Sequence, residues 1–243
     1  MIERDLDIKT ADGAMNTFVV HPDEGGPFPV VFFYMDAPGK REELHDMARR
    51  IASVGYFVVL PNLYYRKTRE FSMVRDEAGM KRMFDMMGHL SNRMIVGDTQ
   101  SMIDFVDDEP MASSDRIGCV GYCMSGPFVL AALGSHPERL QCAASIYGAF
   151  LVTDSDDSAH LYAKGVKGEI YFACAEIDQY APKEDIDALE HELKAHDVNH
   201  RIEWYPGAEH GFAFPLREAV YHKPSAERHW VRLFDMFERN LRQ

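Results

Sequence analysis

Residues 116–133 read Arg116-Ile-Gly-Cys-Val-Gly-Tyr-Cys-Met-Ser-Gly-Pro-Phe-Val-Leu-Ala-Ala-Leu133, and they pass from one kind of secondary structure to another within a few positions. Arg116–Gly121 is short and apolar, as in a buried strand. Pro127–Leu133 continues as a helix, because proline is tolerated in a helix's first turn. A sharp turn between the two lifts one side chain above a sheet, the geometry of a nucleophile elbow. Such a turn brings neighbouring backbone close, so small residues are needed two before and two after the nucleophile. Around Cys123 those positions hold Gly121 and Ser125. Around Ser125, the rival nucleophile, they hold Cys123 and Pro127, and proline fits the turn poorly. The helix start would offer the Met124 N–H to a developing oxyanion, helped by the positive end of the helix dipole. Cys119, inside the strand, reads as a buried core thiol. Glycine-rich strand-to-helix turns also bind phosphates, but this one lacks the Gly-Lys-Ser/Thr ending of a P-loop.

Outward from this segment, strands and helices alternate. Pro29–Met35, Tyr56–Leu60, Gln141–Tyr147, Glu169–Ala175 and Asn199–Tyr205 read as strands, with Pro61 stopping the second. Glu42–Val54, Ile95–Val106, Pro127–Leu133 and Lys183–His196 read as helices, and Ser225–Leu241 as an amphipathic one with Trp230, Leu233, Phe234 and Phe237 inward. A charged, Met-rich region ending near Leu90 reads as helix with an ill-defined start, and Thr153–Lys167 as a surface loop or short helix. The alternation predicts an α/β fold: a mostly parallel central sheet with helices on both faces, in a single domain over residues 1–243. In such sheets functional residues gather on loops beyond the carboxyl ends of the strands.

That location filter selects an acid and a base. A thiol nucleophile needs a base to accept its proton and an acid to orient the base, in the chain order nucleophile, acid, histidine. Asp178 lies just beyond the apolar strand, in AEIDQYAP, with Glu176 as a possible substitute. His210 follows the next strand, in WYPGAEHGFAF, where Gly207 and Gly211 allow a tight loop. Of the eleven histidines, His191, His196, His200, His222 and His229 fall on charged helices or polar loops and read as surface residues, and His160 lies in an acidic loop.

Composition narrows the classes. Apolar residues make up 46% of the 243, enough for a core and too many for a disordered chain. A formal charge of −13 argues against nucleic acid and against anionic membrane surfaces as partners. The start MIERDLDIKT has neither the basic nor the apolar region of a signal peptide, and no run approaches the roughly 18 apolar residues of a spanning helix. Cys119, Cys123, Cys142 and Cys174 form no CxxC pair and no zinc-site spacing. Free thiols and a cytoplasmic location are therefore expected. The sequence carries no signal for the oligomeric state.

Three blocks together resemble the dienelactone hydrolase family: Gly121-Tyr-Cys-Met-Ser-Gly126, Asp178 with Pro182 shortly after, and Glu209-His-Gly-Phe212. Pro61-Asn-Leu-Tyr-Tyr-Arg66 adds to the match, which runs from about Asp7 to the C-terminal helix. The resemblance implies an α/β-hydrolase that cleaves a small ester or lactone, with Cys123 as nucleophile, His210 as base and Asp178 as orienting acid. It implies an oxyanion hole from the N–H groups of Met124 and Ala37, a thioester acyl-enzyme, and no metal or organic cofactor. Two positions depart from the family pattern. The family's glutamate after the first core strand, which contacts the resting thiol, aligns with the shorter Asp36. The family's arginine shortly after the histidine, which serves carboxylated lactones, aligns with Phe214; Arg66 or Arg69 could compensate but read as surface residues. Asp36, Tyr122, Phe212 and Phe214 are expected at the pocket, and the substrate is expected to be more apolar than a carboxylated lactone. The competing readings are thioester cleavage by the same triad, a non-catalytic ligand-binding protein, and a thiol redox sensor based on Cys123.

Overall fold

A computed structural model describes residues 1–74 and 76–242. Eight strands form one sheet: β1 (Ile2–Thr10), β2 (Gly13–His21), β3 (Phe28–Tyr34), β4 (Phe57–Pro61), β5 (Ala112–Tyr122), β6 (Leu140–Ile146), β7 (Glu169–Ile177) and β8 (Asn199–Glu209). Their order is β1-β2-β4-β3-β5-β6-β7-β8. The pairs β1–β2 and β2–β4 are antiparallel, and every other pair is parallel. The helices are α1 (Glu42–Ser53), α2 (Glu77–Met87), α3 (Asn92–Asp107), α4 (Gly126–Ser135), α5 (Lys183–Ala195) and α6 (Lys223–Leu241), with short 3-10 helices at Cys123–Ser125 and Ala159–Gly165.

The mostly parallel, two-sided architecture agrees with the alternation in the sequence. Successive strand residues point to opposite faces, and β5 displays this directly. The Gly118 α-carbon packs against Phe237 and Leu241 of α6, while the next residue, Cys119, turns its thiol toward the Val129 carbonyl of α4. With both faces covered, β3 and β4 are almost wholly apolar and buried.

Several elements depart from what the sequence leads one to expect. An N-terminal hairpin, β1–β2, adds two strands to those expected. Pro61 ends β4 from inside the strand, where it pairs with Thr17. The Met-rich region is helical only from Glu77, where Asp76 caps the helix by accepting a 2.7 Å bond from the Gly79 N–H. His229 lies fully buried rather than at the surface. Its burial pushes the imidazole down to about 3, so the ring is neutral: Nδ1–H donates to the Ala226 carbonyl, and Nε2 accepts from the Tyr122 hydroxyl at 3.1 Å.

α4 meets the loop after β6 at a point with no room for a side chain. A Cβ on Gly126 would sit 2.2 Å from the Gly148 α-carbon and 2.5 Å from Ser145 Oγ. Backbone cannot yield as a flexible side chain can, so Gly126→Ala should destabilise the protein by about 2–3 kcal/mol. Urea unfolding measures this, and a variant as stable as the parent would show that the helix start shifts freely.

Candidate active site

The carboxyl ends of β3, β5, β6, β7 and β8 bring the site together. β5 stops at Tyr122, and Cys123 takes φ 55°, a left-handed conformation that side-chain-bearing residues rarely adopt. The turn is tight enough that a Cβ on Gly121 would lie 2.4 Å from the Ser125 carbonyl oxygen. The Ala149 N–H donates to the Cys123 carbonyl at 2.9 Å, tying the elbow to the loop after β6. Cys123 is half-buried and lines a cavity. Ser125, by contrast, is fully buried, and its hydroxyl donates to the Met35 carbonyl. Cys119 is buried as well, and burial pushes its thiol far up.

Asp178 and His210 meet across the ends of β7 and β8. His210 Nδ1–H donates to Asp178 Oδ2 at 2.8 Å, and the other carboxylate oxygen accepts the Tyr180 N–H at 2.9 Å. The backbone repeats the link, with the His210 N–H donating to the Ile177 carbonyl at 3.2 Å. Tyr147 and Tyr180 hold the imidazole edge-on, at 5.1 and 4.9 Å between ring centroids. Glu176, the alternative acid, instead accepts the Gly207 N–H at 2.6 Å. Burial pushes the His210 imidazolium down, but the Asp178 carboxylate and the neighbouring Cys123 thiol outweigh it and raise the pKa to about 9. Nε2 is buried and has no aligned hydrogen-bond partner among the described residues, although Cys123 is close enough to act on it. The Asp178 bond therefore fixes the orientation of the ring and turns Nε2 toward the thiol.

The other expected site residues have varied fates. Ala37 lines the same cavity as Cys123 and His210. Met124 follows Cys123, and the buried Tyr64 hydroxyl lies 2.8 Å from the Ala37 carbonyl and 3.3 Å from Met124 Sδ, joining the two segments. Tyr122, Phe212 and Phe214 are fully buried and pack beneath the site rather than along the cavity wall. Tyr122 lies against Phe33, Tyr147 and Phe214, and Phe212 stacks on Tyr205.

Asp36 is fully buried too, but its carboxylate is held by two arginines. Arg41 donates Nη1–H to Oδ1 at 2.5 Å and Nη2–H to Oδ2 at 3.2 Å, and Arg217 donates to Oδ2 at 2.5 Å. Arg217 also lines the cavity, with its guanidinium 4.7 Å above the Phe214 ring. An arginine thus does reach the pocket, from seven residues beyond His210, and the expectation that Phe214 leaves the site without one is corrected. Arg66 pairs instead with Asp98 and Asp12, and Arg69 with Asp7, away from this cavity. No periodic signal distinguished Arg217 in the sequence.

A parallel-sheet elbow carrying Cys123, with a carboxylate-bound histidine beyond the following strands, defines the chain as an α/β-hydrolase. A dienelactone hydrolase family model matches residues 15–241, and the chain belongs to that family. The Rhodococcus opacus carboxymethylenebutenolidase is 28% identical over 203 residues, covering 80% of this chain and 75% of its own. A Synechocystis relative, which bears that enzyme name provisionally, is 26% identical over 228 residues, 93% of this chain and 92% of its own. Among solved structures, a Klebsiella pneumoniae protein provisionally named a dienelactone hydrolase superposes with a TM-score of 0.87 at 22% identity, covering 97% of this chain and 98% of that one. Membership makes this chain a hydrolase of the carboxylic ester type.

Because the folded protein binds the His210 proton more tightly than the unfolded chain, whose imidazole titrates near 6.5, that stabilisation is complete below about pH 6.5. It is lost as pH rises through about 9. Asp178→Asn leaves burial opposed only by Cys123 and should bring the His210 titration down toward 6.5, as read by NMR of the imidazole. The stability gap between wild type and variant should shrink by on the order of 2 kcal/mol between pH 6 and pH 9.5. A wild-type His210 that titrates near 6.5 would contradict this assignment of the proton.

Proposed function

We propose that the chain hydrolyses a neutral ester or lactone by nucleophilic catalysis, with Cys123 as nucleophile, His210 as base and Asp178 as the acid that orients it. The observation that carries the reading is the 2.8 Å His210–Asp178 bond in the same cavity as a cysteine held at positive φ. The pKa of about 9 means that the neutral imidazole binds a proton strongly, so in that form it is a competent acceptor for the thiol's proton.

The cycle then follows from the positions of the groups. Nε2 of His210 takes the Cys123 proton, and the sulfur attacks the ester carbonyl. The oxyanion that develops is received by the backbone N–H groups of Met124 and Ala37. Collapse of the tetrahedral intermediate expels the alcohol oxygen, which takes the proton from His210, and leaves a thioester on Cys123. His210 next removes a proton from water, the hydroxide attacks the thioester, and the acid departs as the thiol is restored. Such a free thiol suits a reducing compartment, which favours the cytoplasm.

Charge favours a neutral substrate. Asp76, Glu77 and Glu209 line the cavity, and its guanidinium, Arg217, is already committed to Asp36. Among the described lining residues, a substrate carboxylate would meet these three like charges and would have to compete with Asp36 for Arg217.

On a neutral short-chain aryl ester, Cys123→Ala should lower kcat/KM by on the order of 10³ or more. Wild type should process that ester at least about tenfold faster than a carboxylated lactone. Full activity in the variant overturns the nucleophile, and a preference for the anionic lactone overturns the neutral substrate.

A further inference from the structure

We propose that the cavity-facing side of α2 is a binding site for a flexible apolar arm of the substrate, so that the preferred esters carry an extended hydrocarbon chain rather than a compact ring. This rests on the ester-hydrolase reading above and specifies its substrate class.

Met80, Met83, Phe84 and Met87 recur at i, i+3, i+4 and i+7, which places them in one stripe along α2. All four line the cavity that holds Cys123 and His210. A helix ordinarily spends such a stripe on the core, but here Met80 is 37% and Phe84 44% exposed, and in the whole helix only Gly79 and Met83 are buried. The facing wall is equally unspent, with Phe150 at 48% and Ile177 at 59% exposure. Apolar surface left open on both sides of one cleft marks a place where something apolar binds.

Size and chemistry identify that ligand. The cavity measures about 820 Å³, near the upper end of the range for sites that enclose drug-sized molecules. A short ester placed against Cys123 would leave most of it to water. Methionine is unbranched and polarizable, so it moulds to chains of varied shape better than it defines a rigid slot. The cavity's carboxylates exclude an anionic tail, and its continuity with Cys123 requires that the arm belong to the molecule being cleaved.

The test is kcat/KM for two neutral series: 4-nitrophenyl esters from acetate to octanoate, and alkyl acetates from methyl to octyl. Full burial of a methylene corresponds to about fourfold; a half-open cleft should give about twofold per methylene, or roughly 60-fold across the acyl series and roughly 130-fold across the alkyl series, whichever carries the arm. The series that rises shows whether the arm is acyl or alcohol. Met80→Ser and Phe84→Ser, both at partly exposed positions, should each lower the long-to-short ratio about tenfold, and Met80→Leu should restore it. Cys123-dependent hydrolysis of acetate with both series flat overturns the arm site and leaves the hydrolase reading standing. Absence of Cys123-dependent hydrolysis throughout overturns both. A dimer in sedimentation that Phe84→Ser converts to monomer, with flat series, would assign the face to a second copy of the chain and overturn the proposal.

Discussion

Backbone pressed against backbone at the end of β5 is the constraint on which the rest of this site depends. The Ser125 carbonyl occupies the space where a Cβ on Gly121 would stand, and Gly148 occupies that space beside Gly126. So tight a turn holds Cys123 in a left-handed conformation that costs about 1–3 kcal/mol and persists only when the surroundings enforce it. The enforcing contacts come from separate parts of the chain. Met35 after β3 accepts from Ser125, Ala149 after β6 donates to Cys123, and His229 of α6 holds the Tyr122 hydroxyl. The thiol is therefore placed by the assembled sheet and not by its own loop. The bed of buried aromatics beneath it, Tyr122, Tyr147, Phe212 and Phe214, keeps that assembly from yielding.

How much of this is legible in the sequence depends on how each part is stabilised. Parallel strands buried on both faces read as unbroken apolar runs, which is why β3 to β7 can be located within a few residues. The hairpin escapes for the opposite reason. In β1 only Ile8 is buried, and Glu3, Arg4, Asp5, Asp7 and Lys9 read as a polar terminus. Those same charges guard an otherwise open sheet edge. Cys123, Asp178 and His210 stand out because each follows an apolar strand at a turn. His229 was recoverable in principle: Leu233 and Met236, both buried, lie four and seven residues ahead on the same helix face, but the adjacent Glu227 and Arg228 suggest a surface position. The Asp36 network had no such signature, since its partners are set by loop paths that no local pattern encodes.

That network explains why a carboxylate can be buried just beyond the end of β3. A buried charge is tolerable when paired and hydrogen-bonded, and removal of one partner leaves the other uncompensated. Here Asp36 and Glu43 balance Arg41 and Arg217. The ion cluster joins the loop after β3, which carries Ala37, to the segment before α6, which follows His210. Gly211 leaves the room this junction needs, because a Cβ there would lie 3.0 Å from Arg217 Nη1. One cluster of charges thus braces both the loop of Ala37 and the loop of His210.

The roof of the cavity is secured much less firmly. α2 supplies its own N-cap at Asp76 and commits only Gly79 and Met83 to burial. This division matches what the proposed reaction would ask of each part. Proton transfer and oxyanion binding lose their effect when groups shift by fractions of an ångström, so floor groups need ion pairs, buried rings and crowded backbone to fix them. Apolar contact is non-directional and scales with the area removed from water, so it tolerates slack. In the proposed reaction, a rigid floor beneath an adaptable, Met-rich roof would keep the chemistry fixed while the shape of the bound arm varies.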